Sequence, residues 1–79
     1  MANTKRLTRE ELRKHLETLF AGKTLVSRYD PDLNTIVAAG TLANADSEGK
    51  GISARILIGN KTFYEKSATL DWIVDRAKE

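Results

Sequence analysis

The fold of this chain turns on residues 36–46, IVAAGTLANAD. Two readings fit them. In one, Ala38 to Asp46 forms a short helix: Ala, Leu and Asn tolerate it, and Gly40 costs about 1 kcal/mol unless it lies near the helix start. In the other, Thr35 to Ala39 is a strand returning from Thr24–Tyr29, a stretch rich in strand formers. Asp30-Pro31-Asp32-Leu33-Asn34 then supplies a five-residue loop, with Pro31 pre-setting φ and the Asp and Asn side chains bonding their own backbone. The helix reading gives a helical pair followed by a β-hairpin. The strand reading, carried through residue 43, gives a helix, a four-stranded antiparallel meander and a helix. Both are α+β, with an N-terminal helix, antiparallel hairpins and a C-terminal helix.

Downstream, Ser47-Glu48-Gly49-Lys50-Gly51 is a loop. Ile52, Ala54, Ile56 and Ile58 then alternate with Ser53, Arg55 and Leu57, the period of a strand. Gly59-Asn60 fits a two-residue type I′ or II′ turn, and Lys61–Glu65 returns. That turn sets Ile56 opposite Phe63 and Arg55 opposite Tyr64, so one face is apolar and the other partly basic and polar. Ser67 reads as the N-cap of a last helix whose apolar stripe is Leu70, Ile73, Val74 and Ala77. Arg76 and Lys78 suit its C-terminal dipole. Trp72 lies beside the stripe, where its indole seals the edge of the core.

Upstream, residues 1–6 read as a disordered polar start. Thr8 and Glu11 make a capping box, and Leu7 and Leu12 have the spacing of a hydrophobic staple. Leu12, Leu16, Leu19 and Phe20 form an amphipathic stripe, and Gly22 is a natural stop. The spacing predicts a helix over residues 8–21.

Seventy-nine residues make a single small domain of modest stability, so a homodimer or a bound partner would add useful buried area. There is no cysteine, which removes disulfides and thiolate metal sites. The start lacks the apolar run of a signal peptide, and no window approaches the roughly 20 apolar residues of a membrane span. A cytoplasmic protein is expected. Thirteen basic against 11 acidic residues leave a net charge of +2, much less than a strongly nucleic-acid-binding domain carries. Lys5, Arg6, Arg9, Arg13 and Lys14 crowd the N-terminus, a pattern that reads as a solvated helix face before it reads as a phosphate patch.

No catalytic constellation is visible. His15 is the only histidine, with no second histidine or cysteine to share a metal or activate a nucleophile. Asp30 and Asp32 flank Pro31 as turn residues do. The glycines at 49, 51 and 59 are split by a strand and do not form a phosphate-cradling loop. A binding module without metal or cofactor is expected, not an enzyme.

Three pieces together carry a resemblance. They are Thr41-Leu42-Ala43-Asn44 with Ser47, Gly49 and Gly51; Ile58-Gly59-Asn60-Lys61-Thr62-Phe63-Tyr64; and Ala68-Thr69-Leu70-Asp71-Trp72. With Leu7 to Leu12 they cover about half the chain. This pattern resembles the small helix-turn-helix proteins of phages and mobile elements, of the excisionase-like, MerR-related winged type. In that fold a recognition helix enters the major groove and a hairpin wing lies along the backbone or minor groove. The resemblance implies base-edge or phosphate contacts for Thr41, Asn44 and Ser47, and phosphate contacts for Lys50, Arg55, Asn60 and Lys61. The chain departs from the pattern in places. Asp46 and Glu48 would bring negative charge towards phosphates, and residues 22–37 stand where the family has a tight turn between helices. These departures suit the meander.

Two functions follow. The winged arrangement implies a DNA-binding regulator or excisionase-like factor of a phage or mobile element. The meander implies a phage-type inhibitor that covers the surface of a host protein with a sheet face, a helix or an edge strand.

Overall fold

The computed structural model describes residues 6–78, so the expected disordered start lies almost wholly outside the described residues. The chain runs α1 (Arg9–Leu19), β1 (Leu25–Ser27), α2 (Pro31–Ile36), α3 (Ala39–Ser47), β2 (Arg55–Ile58), β3 (Lys61–Glu65) and α4 (Lys66–Arg76). Residues 36–46 therefore end one helix and form most of the next. The fold is α+β with a helix near each end. Its sheet has three antiparallel strands in the order β1-β3-β2, in place of the four of the meander. Thr35–Ala39, offered as a strand, spans the end of α2 and the turn into α3.

The physical reason lies in Asp30-Pro31. The residues that suit a turn also suit a helix start. The Asp30 carboxylate caps α2, accepting the N–H groups of Asp32 at 2.8 Å and Leu33 at 3.2 Å. Pro31 occupies the first helical turn, where its missing N–H costs nothing. The Asn34 amide donates to the carbonyls of Arg28 (2.9 Å) and Val37 (3.1 Å), tying the chain before α2 to the turn after it. Leu33 is fully buried and fixes α2 to the core.

The first helix follows its signals closely. Thr8 and Glu11 form both bonds of the capping box, at 3.0 and 3.1 Å. Leu16 and Phe20 are buried and Leu12 packs against the core, while Leu19 is exposed. Gly22 takes φ +83°, a left-handed conformation that suits glycine just beyond the helix. Arg13 pairs with Asp71 and Glu17, Lys66 lies 3.3 Å from Glu17, and the Arg9 guanidinium donates to the Ala77 carbonyl at 2.9 and 3.1 Å. These contacts hold α1 beside α4.

The hairpin has the expected register, Arg55 opposite Tyr64 and Ile56 opposite Phe63. Gly59 has φ +62° and Asn60 does not have a positive φ, the pattern of a type II′ turn. The strand starts only at Arg55, because Ile52 leaves the ladder to bury itself in the core. At its far end the chain passes straight from β3 into α4. Glu65 stands at the N-cap without a side-chain bond, so Ser67 lies inside the first turn and is not the cap. Leu70 and Ile73 are buried as expected, joined by Ala68 and by Thr69, whose hydroxyl donates to the Glu65 carbonyl at 2.8 Å. The Trp72 indole packs against the core and donates to the Lys50 carbonyl at 2.9 Å, pinning the loop after α3.

Candidate nucleic-acid interface

Helix α3 is anchored by Leu42, which is fully buried. Thr41, Asn44 and Ser47 recur every third residue on one side of the helix, and all three are exposed. No side chain caps the start of α3, whose N-cap is Ala38. Its end is a Schellman motif. Lys50 N–H donates to the Ala45 carbonyl at 2.8 Å and Gly49 N–H to that of Asp46 at 3.2 Å, with Gly49 at φ +73°. That turn places Lys50 in the exposed loop behind the helix. Asn60 and Lys61 are exposed at the tip of the hairpin. Six of the seven sequence-derived contact residues thus stand in solvent on α3, its following loop and the hairpin tip.

Arg55 is the seventh, and its setting is different. Its Nη1 lies 3.2 Å from Oδ1 of Asp46, whose side chain is only 5% exposed. Asp46 Oδ2 accepts from Arg28 Nη2 at 2.6 Å and from the Tyr64 hydroxyl at 2.7 Å, and Arg28 Nε donates to the Tyr64 oxygen at 3.0 Å. Three side chains, from the β1–α2 connection, β2 and β3, therefore meet around one carboxylate on α3. The Arg55 contact is close enough for charge pairing but is not aligned as a hydrogen bond, so Oδ1 has no donor. Burial, reinforced by the neighbouring carboxylate, raises the Tyr64 pKa and keeps its hydroxyl a donor. The bond to Tyr64 and the pairing with Asp46 raise that of Arg28 and outweigh its partial burial. Asp46 does not project towards a ligand of α3, contrary to the charge argument from sequence. Glu48, by contrast, is exposed.

Gly51 completes the cluster. A Cβ there would stand 1.8 Å from Asp46 Oδ1, so only glycine lets the chain pass this close to the carboxylate. Sequence reasoning missed Arg28, Asp46 and Tyr64 as a unit. They are 18 residues apart in each step, and only the fold brings them together. The usable signal was an acidic residue on the inward side of α3, a position that demands a cation.

A second pair is local. Lys23 Nζ lies 2.6 Å from Asp30 and 3.3 Å from Asp32. Burial would raise the Asp30 pKa, but the Lys23 ammonium and the two backbone N–H groups of α2 outweigh it and lower the value. The two aspartates act as a helix cap and an ion pair. Between α1, α4 and the α2–α3 turn runs a groove of about 450 Å³ lined mainly by apolar side chains, among them Leu12, Ile36, Val37 and Trp72. Arg76, stacked 4.5 Å over Trp72, is its one charged lining residue. Among the described residues, no helix is long and apolar enough to cross a membrane, and no three His, Cys, Asp or Glu side chains gather as metal ligands.

No family model, curated protein or solved structure matches the chain.

Proposed function

We propose that this protein binds double-stranded DNA as a winged helix-turn-helix, with α2 and α3 as the helical pair and the β2–β3 hairpin as the wing. The observation that carries this reading is the helical state of residues 39–47, directly after α2, with a short polar stripe facing solvent. Thr41, Asn44 and Ser47 are then the side chains that meet base edges. The uncapped N–H groups at the start of α3 suit a phosphate oxygen. Lys50 and Lys61 supply phosphate contacts, and Asn60 a polar contact at the wing tip. Arg55 is the weakest of the expected ligands, because it shares its charge with Asp46. The buried Asp46 carboxylate, offset by Arg28 and Arg55, repels phosphate much less than a free aspartate on α3 would. The resemblance extends the proposal to a regulator or excisionase-like factor of a phage or mobile element.

Two lysines make this a weakly electrostatic binder. Anisotropy of a labelled mixed-sequence duplex should report binding at low salt, with log K falling against log salt at a slope of about −2, near −0.9 per phosphate neutralised. Replacing Lys50 and Lys61 together with alanine should flatten that slope and leave the circular dichroism unchanged. Absence of binding at low salt rejects the proposal.

A further inference from the structure

The groove beside α4 carries a cation that no carboxylate matches. Its walls are apolar: Leu12 of α1, Ile36 and Val37 of the α2–α3 turn, and the Trp72 indole of α4. At about 450 Å³ it lies within the roughly 300–1,000 Å³ of small-molecule sites, which join an apolar lining to a few placed polar groups. Here the placed group is Arg76. Its guanidinium stacks 4.5 Å over the Trp72 ring, and that ring is itself held by the bond from its N–H to the Lys50 carbonyl at 2.9 Å. Stacking occupies a face of a guanidinium and leaves its N–H edges to donate. Among the described residues, Arg76 has no carboxylate partner, whereas Arg13 of α1 and Lys66 of α4 both have one. No acidic residue lines the groove. The Ala77 carbonyl, which brings the negative end of α4 to the same groove, is taken by the Arg9 guanidinium at 2.9 and 3.1 Å. An apolar slot with a single cation in its wall is complementary to an anionic group on an apolar body.

We infer that the groove binds a small amphipathic carboxylate, with its hydrocarbon body against Leu12, Ile36 and Val37 and its head on the Arg76 guanidinium. A planar carboxylate matches the guanidinium fork with two parallel hydrogen bonds. A bare anion gains little at an exposed cation. The hydrocarbon body supplies the rest by leaving water. The volume suits one small molecule, whereas a lasting contact with another protein needs about 800 Å² on each side. Binding there requires only the groove and stands whether or not the chain binds DNA.

Decanoate is the probe. Titrated into the isotope-labelled chain and followed by amide and indole N–H shifts, it should bind in one saturable process with Kd at or below about 1 mM. The largest shifts should fall at Ile36, Val37 and the Trp72 indole. Decylammonium, with the same chain and the opposite head, should bind at least roughly tenfold more weakly. Acetate, a head without a body, should give no saturable shift. Arg76→Gln keeps much of the side chain and removes its charge, and Arg76 is exposed, so circular dichroism should match the parent. That variant should lose roughly tenfold in decanoate affinity and nothing in decylammonium affinity. As a second variant, Ile36→Glu at a half-exposed wall position sets a carboxylate in the groove and should reverse the order of the two probes. No saturable shift with decanoate, equal affinity for the two probes, indifference to Arg76→Gln, or shifts centred away from the groove overturns the inference. Shifts at the groove that follow protein concentration without any additive would seat a second copy there and overturn it too.

Discussion

Two regions of this molecule have exchanged the usual places of charge and hydrocarbon. Around Asp46, a carboxylate, a guanidinium and a phenol meet inside the fold, between α3 and the sheet. On β2, two isoleucines and a leucine stand in water. The hairpin's two faces explain the cluster and the two isoleucines, while Leu57, on the Arg55 face, is exposed all the same. Arg55, Tyr64 and Val26 lie in register across the three strands on the face that meets the helices, and Ile56, Phe63 and Ser27 lie on the other. Tyr64 and Val26 are fully buried; Ile56 is not. A strand's alternation separates its residues into two sets, but what packs on the sheet decides which set goes inside. Here the set with the polar tips won, because Asp46 and Arg28 were there to satisfy them.

The sharpest way to break this comparison is to remove the carboxylate. Asp46→Ala should cost about 3 kcal/mol, because it leaves the Arg28 guanidinium and Tyr64 hydroxyl part-buried without their acceptor. That is a large share of the stability of a domain this small, typically about 5 kcal/mol at the lower end. Urea unfolding followed by Trp72 fluorescence measures it. A loss under 1 kcal/mol would mean the cluster is solvated and the contrast with β2 is false.

What the sequence made legible follows from range. The capping box, the Gly59 turn and the hairpin register depend on residues within a few positions of each other, and all were readable. Residues 30–34 were readable as a chain reversal but not as its type, since Asp-Pro serves a turn and a helix start equally well. The contest over residues 36–46 was settled by burial of Leu33 and Leu42, a tertiary fact that local propensity does not contain. The solvent-facing α3 residues were named by resemblance alone. Of the Asp46 cluster only the inward acidic position on α3 was legible, because its partners lie 18 residues away on either side and only the fold brings them together.

Between the extremes lies Asp30, which caps α2 and pairs with a half-exposed lysine. Asp30→Asn keeps a good cap and removes only the charge. It should cost under about 1 kcal/mol at neutral pH. The pH dependence has a definite sign. The folded-state pKa of Asp30 is lowered from 3.8, so its ionic stabilisation is complete well above that value and is lost as pH falls through the lower folded one. The gap between parent and variant should therefore close below pH 3.8 and stay constant above pH 5 or so. A gap that widened in acid would assign the effect to another group.

The smallest effect belongs to the exposed strand. Ile56→Thr removes apolar surface that is 53% exposed, on the face away from the helices. Threonine keeps the β-branch and the strand propensity. The change should stay within about 0.5 kcal/mol, as for surface substitutions generally. A truncation in the core, by contrast, costs about 2–5 kcal/mol. The pair of measurements then orders the molecule by contact instead of by polarity. The buried carboxylate of Asp46 on α3 should matter several times more than the exposed Ile56 on the hairpin. A cost above 1.5 kcal/mol for Ile56→Thr would place hydrocarbon against that face and collapse the contrast from the other side.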